Sequence, residues 1–215
     1  MTALERPLSE TFPKIIQLPS GLKLEASLTP PGPVTEMDEG RGVTAKRLAV
    51  FLHPWARLGG NMDDPILGSL LRPLTHYLKF YVLRYNARGV GLSSGWKSLT
   101  GLQEVEDLRE LVKYALKRLG DGYSNGALTA SMHPLLPAPL RTAHVLISYP
   151  LGPRALLTAL RSRTYQRALE DLVRQPTARV LLCDGLEVVR IPGASHFWGG
   201  QAMKGLIEAV TRFLT

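Results

Sequence analysis

A single cysteine, Cys183, stands in a chain of 215 residues. An internal disulfide and a cysteine-cluster metal site are both excluded, and the scarcity suits a reducing compartment. No apolar run approaches the roughly 18 to 20 residues that cross a bilayer. The opening Met1-Thr2-Ala3-Leu4-Glu5-Arg6-Pro7 has no apolar h-region, and its early acid argues against a transit peptide. We expect a cytoplasmic protein with no membrane association. Repeats and low-complexity tracts are lacking. No second histidine or carboxylate stands at zincin spacing from His53, so no metal is expected. The glycine-rich Asn86-Ala87-Arg88-Gly89-Val90-Gly91-Leu92-Ser93 lacks the full dinucleotide fingerprint and the lysine of a P-loop. No cofactor is expected, and a tight strand-to-helix crossing is the better reading.

Acidic residues are also short in supply, 18 against 26 Lys and Arg, leaving a net charge of +8. Arg141, Arg154, Arg161, Arg163, Arg167, Arg174, Arg179 and Arg190 gather in the C-terminal third. With no aromatic-interleaved basic motif or helix-turn-helix pattern beside them, they read as a solvated surface rather than a nucleic-acid interface. Hydrophobic residues make up 45% of the chain, enough for one domain with a real core over residues 1–215. Oligomeric state is not legible.

What is present alternates in period. Lys14 to Leu18 and Leu22 to Leu28 are β-suited runs split by Pro19-Ser20-Gly21, a hairpin signal. Leu48 to Leu52 and Phe80 to Tyr85 are continuous apolar runs, the pattern of strands buried on both faces. Between them, Asp63-Asp64-Pro65 starts a helix whose stripe is Ile66, Leu67, Leu70, Leu71, Leu74 and Leu78. Thr100-Gly101-Leu102-Gln103 is a candidate capping box, followed by an apolar face of Leu102, Val105, Leu108, Leu111, Val112, Ala115 and Leu116. Glu104, Glu106 and Asp107 lie early in that helix, as its dipole favours. Further strands are expected at His144–Tyr149, Val180–Cys183 and Leu186–Ile191, and helices at Tyr165–Val173 and around Met203 to Phe213. Strands alternating with helices imply an α/β fold, a mostly parallel sheet with helices on both faces.

The chemistry-bearing pattern is Gly-x-Ser-x-Gly, a nucleophile elbow: a turn too sharp for side chains at its flanks, which holds a serine hydroxyl out. It occurs twice, at Gly122-Tyr123-Ser124-Asn125-Gly126 and at Gly91-Leu92-Ser93-Ser94-Gly95. The first runs into small, helix-permissive residues and the second into loop signals, so Ser124 is the better candidate. The ordered set His53-Pro54-Trp55, Arg84 to Ser93, Gly122 to Gly126 and Ala194-Ser195-His196-Phe197 resembles the α/β-hydrolase superfamily. More narrowly it resembles the small intracellular members related to dienelactone hydrolases and serine aminopeptidase-like esterases. The resemblance runs from about Leu48 to the C-terminus. It implies Ser124 as nucleophile, His196 as general base, and the N–H groups of Trp55 and Asn125 as oxyanion hole. It also implies a small acyl substrate, an ester, thioester or amide. By position Asp184 would be the acid, with Asp171 as runner-up. His53 would shape its loop, and His76, His133 and His144 would be structural.

Two departures from the family pattern stand out. Asp184-Gly185 leads straight into the next apolar run where a crossover helix belongs. Gly122 is preceded by Lys117-Arg118-Leu119-Gly120-Asp121, which continues a helix and supplies one aliphatic residue where a buried central strand belongs. We therefore expect no regular strand at Leu119 to Gly122, a missing or distorted central strand, and a chain shortened at two places. The alternative function is a catalytically impaired scaffold that binds a partner or small molecule.

Overall fold

Alternation of burial along the early strands decides which faces the helices cover. The computed structural model describes residues 12–33, 47–54, 56–119, 130–136, 141–147, 162–183 and 200–215. Strand β1 (Ile15–Gln17) and β2 (Lys23–Thr29) form the expected hairpin, antiparallel with Ile16 opposite Leu24. In β2, Leu24, Ala26 and Leu28 are buried and the residues between them are not, the period-2 signature of a sheet covered on one side. Strands β3 (Arg47–Phe51) and β4 (Phe80–Tyr85) are parallel, with Val50 opposite Leu83, and are buried on both faces. The order is β1-β2-β4-β3, with β5 (Ala143–Ile147) and β6 (Arg179–Cys183) forming a separate parallel pair.

Two apolar clusters sit on opposite faces. Helix α1 (Pro65–Arg72) and α4 (Gly200–Leu214) pack Leu70, Leu206 and Val210 against Ala49, Phe51, Val82, Val145 and Leu181. Helix α2 (Leu102–Leu119) packs Leu108, Leu111, Val112 and Ala115 against Leu24, Leu48, Val50 and Leu83. Helix α3 (Ser162–Arg174) buries Tyr165 and Leu172. Each fully buried side chain of this kind contributes about 1.5–3 kcal/mol. Asp64 caps α1 as its sequence promised, accepting from Ile66 N–H at 2.9 Å with Pro65 in the first turn. A wider turn over Pro73–Tyr77 follows, because Pro73 has no N–H to continue the α ladder.

Three expectations need correction. Among the described residues the sheet is as much antiparallel as parallel, because the opening hairpin docks β2 antiparallel on β4. Thr100 and Gln103 do not form the capping box. Gly101 takes φ +75° and displaces the cap upstream, where Ser98 N–H donates to Glu104 Oε1 at 3.0 Å and the Ser98 hydroxyl to Oε2. Asp107, placed early in α2 as its dipole favours, is also a buried carboxylate. The glycine-rich loop is not a tight crossing, since it folds back on β2 before α2 begins. Leu119 is the last residue of α2; Gly120 to Gly122 and the strand expected at Leu186–Ile191 lie outside the described residues. No hydrogen-bonded ladder joins β3 to β5 among the described residues.

Candidate active site

Parallel strands bring their C-terminal ends to one edge of a sheet, where ligand sites of α/β folds collect. Here β3 and β4 deliver His53-Pro54 and Asn86-Ala87 to that edge. The His53 ring joins the two loops. Its Nε2 accepts the Ala87 N–H at 3.0 Å, so the proton resides on Nδ1, which donates to the Pro54 carbonyl at 2.6 Å. Burial lowers its pKa below the ordinary histidine value, against the opposing pull of the Pro54 hydrogen bond. Both nitrogens are committed, so a neutral His53 shapes the loop and has no lone pair left for a metal.

The loop after β4 continues the hydrogen bonding of β2 where β4 stops. Asn86 N–H donates to Glu25 C=O at 2.8 Å, and Ser94 N–H to Lys23 C=O at 2.8 Å. The Ser93 hydroxyl accepts from Glu25 N–H at 2.8 Å and donates to Asn86 C=O at 2.7 Å. Ser93 is buried and its oxygen is used in both senses. It has no free hydroxyl with which to attack anything. The Glu25 carboxylate accepts from Asn86 Nδ2 at 2.7 Å and Leu92 N–H at 2.8 Å, while Asn86 Oδ1 accepts from Met62 N–H at 2.8 Å. Gly91, at φ +54°, lies so close that a Cβ would overlap both Glu25 and Asn86. Thus Asn86 ties the β4 loop to the segment that follows His53-Pro54. An open cleft of about 450 Å³ lies between them, with Glu25, Asn61, Asp63, Asn86 and Lys97 in its lining.

Sequence reading missed the braces beneath this edge. Arg88 grips Asp107 through two hydrogen bonds of 2.6 Å and reaches Gln103 Oε1 at 3.0 Å. Burial raises the Asp107 carboxyl above its usual range, and the hydrogen bonds from Arg88 oppose that rise. The same pairing raises the Arg88 pKa. Lys97 donates to Ala56 C=O at 3.0 Å, and Tyr165 OH to Thr100 C=O at 2.6 Å. Only the mixed polarity of Asn86 to Lys97, unusual for a solvent loop, hinted at these contacts.

Of the residues assigned from the sequence, Trp55, Ser124, Asn125, Asp184 and His196 lie outside the described residues. Asp171 is described. It sits exposed on α3, 3.7 Å from Arg174, as a solvated carboxylate would. His133 and His144 are buried together near α2, the Nε2 of His144 donating to His133 C=O at 3.3 Å. Among the described residues no group of three His, Cys, Asp or Glu could hold a metal ion, and no helix is long and apolar enough to cross a membrane.

No protein-family model and no curated protein matches the sequence. Solved structures do match in shape. A lid-less α/β serine hydrolase from Xanthomonas campestris aligns over 97% of this chain and 96% of its own, at 21% identity and a TM-score of 0.63. An α/β serine hydrolase homologue from Coxiella burnetii aligns over 94% and 96%, at 19% identity and 0.58. An esterase from Pyrococcus furiosus aligns over 93% and 88%, at 13% identity and 0.56. At these identities the likeness is one of fold.

Proposed function

The chain carries the α/β-hydrolase fold, and from that premise we propose that it is a serine hydrolase acting on a small ester, thioester or amide through an acyl-enzyme. Ser124 is the nucleophile in this reading. An alcohol of that kind attacks a carbonyl only if a base takes its proton, the role given to His196, with Asp184 to orient the imidazole. Negative charge then develops on the carbonyl oxygen and is met by the N–H groups of Trp55 and Asn125. Collapse of that tetrahedral intermediate breaks the bond to the alcohol, thiol or amine, which leaves with the proton from His196; water, deprotonated by His196 in turn, then releases the acid and restores the Ser124 hydroxyl. The thirty residues from Tyr149 to Ala178, helix α3 among them, leave space for a small lid at most, in keeping with the lid-less Xanthomonas neighbour.

The observation that carries this reading is the committed hydroxyl of Ser93. It removes the competing Gly-x-Ser-x-Gly and leaves Ser124 as the serine of the other. Fluorophosphonate labelling of the purified chain tests it: wild type and Ser93→Ala label, and Ser124→Ala does not. Labelling of Ser124→Ala at the wild-type level would sink the assignment.

A second reading is favoured by α2, which runs to Leu119 and leaves only Gly120 and Asp121 before Gly122. That spacing is in keeping with the expectation of no regular strand at Leu119 to Gly122, and an elbow without a central strand would lack its support. In that reading the chain is a catalytically impaired scaffold for a partner or small molecule. Absence of labelling in a folded wild-type protein would select it.

A further inference from the structure

The cleft between the loops after β3 and β4 is lined by polar side chains, Glu25, Asp63, Asn86 and Lys97 among them. Its volume of about 450 Å³ lies within the roughly 300–1,000 Å³ of small-molecule sites. Charge in the lining is balanced. Asp63 meets Arg84 at 3.1 Å, and Lys97 stands in the same wall as Glu25. A phosphate or a metal ion therefore finds no excess of opposite charge. What the cleft offers instead is hydrogen bonding in both senses. Glu25 Oε2 is held by Asn86 Nδ2 at 2.7 Å and by Leu92 N–H at 2.8 Å, which fixes the carboxylate and leaves Oε1 as an acceptor with no partner among the described residues. Lys97 donates one proton to Ala56 C=O at 3.0 Å and retains two more.

The loop that walls this cleft also holds two apolar side chains out in water, Trp96 at 89% exposure and Leu92 at 72%. Trp96 stands at the rim. A Cβ on Gly89, which lines the cleft, would lie 2.8 Å from Lys97 N and 3.2 Å from Gly95 O, the neighbours of Trp96 on either side. The chain is pinned before and after the indole: Ser94 Oγ accepts from Lys23 N–H at 2.9 Å, and Ser98 Oγ accepts from Gly101 N–H at 2.8 Å. A lone exposed side chain is ordinary on a protein surface. An indole on a braced loop beside a polar, charge-balanced cleft is a different case, since it loses little freedom when a ligand covers it. The pair matches the two kinds of surface a sugar presents, hydroxyls that both donate and accept and C–H faces that lie flat on an aromatic ring. We propose that the cleft binds a neutral saccharide, with Glu25 and Lys97 on its hydroxyls and Trp96 against a ring face at the rim. The site uses no residue of the triad given above, so its test is separate from that of the hydrolase reading.

The test titrates the full chain with maltose, cellobiose and xylobiose, by calorimetry and by saturation-transfer NMR. Wild type should bind at least one of them with a Kd on the order of 1 mM or tighter. Trp96→Ala should weaken that binding about 10-fold. Glu25→Gln keeps an oxygen for Asn86 and Leu92 but turns the uncommitted acceptor into a donor, and should also weaken it about 10-fold. Val173→Ala, which removes an exposed apolar side chain on α3, should bind as wild type does. Should Glu25→Gln fail to fold, Trp96→Ala makes the same comparison, because its side chain lies in solvent. No binding of any of the three sugars to wild type at about 20 mM, or binding that both Trp96→Ala and Glu25→Gln leave unchanged, overturns the inference. Competition by inorganic phosphate, which the balanced charge argues against, overturns it as well. So does adsorption of wild type but not Trp96→Ala to phosphatidylserine vesicles in the absence of any sugar binding, which would make the indole a lipid contact.

Discussion

A hydroxyl that both accepts and donates cannot be removed without stranding two backbone groups. Ser93→Ala leaves the Glu25 N–H and the Asn86 C=O without their partner, and each buried group left so costs about 1–3 kcal/mol. We expect a loss of about 2–6 kcal/mol for the two groups together by urea unfolding, with labelling at Ser124 preserved. His144 makes a second prediction. It is 2% exposed, burial and the neighbouring His133 push its pKa down to about 4, and its Nδ1 has no partner among the described residues. The unfolded chain takes up this proton first, near the ordinary histidine value of 6.5. The stabilising contribution is therefore complete above that value and falls as pH drops towards about 4, at about 1.4 kcal/mol per pH unit and roughly 3 kcal/mol in all. His133, also lowered by burial, adds to the same slope. Unfolding free energy measured from pH 7 to 4.5 should show the decline, and His144→Leu should flatten it.

Helix α2 shows which parts of an element a sequence displays. Its apolar stripe was legible because Val105, Leu108, Leu111, Val112 and Ala115 repeat at helical spacing and all five are buried. Its start at Leu102 was legible too, but the reciprocal bond of its cap was not, because Gly101 at φ +75° lets Ser98 and Glu104 make it in place of Gln103, and that leaves no mark in composition. The pairing of Asp107 with Arg88 was not legible, because the two lie on different elements and long-range pairing has no periodicity to betray it. The same holds for Glu25, Asn86 and Ser93, which meet across more than sixty positions of chain. Strands β3 and β4 were plain as apolar runs, whereas their hydrogen-bonded neighbours were not. Of the candidate site, the role of His53 and the rejection of Ser93 were within reach of the sequence; the cradle of Asn86 was not. The Arg88–Asp107 clamp carries its own prediction. The Asp107 side chain is only 5% exposed, so Asp107→Leu leaves Arg88 with an unpaired charge and should cost about 3–5 kcal/mol. The double variant Arg88→Leu, Asp107→Leu should be more stable than either single one in a thermal-melt cycle.

At the scale of the molecule, β4 lies between two strands while β3 is paired on one side among the described residues. If the chain lacks the strand before its elbow, alternate amides of Arg47–Phe51 should exchange with solvent deuterium quickly while those of Phe80–Tyr85 stay protected. Uniformly slow exchange along Arg47–Phe51 would place a partner strand at that edge and remove the argument for an impaired scaffold. The other flank of the sheet is organised differently. Strand β2 outruns β4, and the length it leaves over is matched by Asn86, Ser93 and Ser94, which take up the backbone groups of Lys23 and Glu25. Uncovered, those groups would form a template on which an extended segment of another chain could add a strand, the route to edge-to-edge aggregation. A loop built for local geometry thus also acts as a guard on solubility, and loosening it would expose the hairpin to self-association while the apolar core stayed intact.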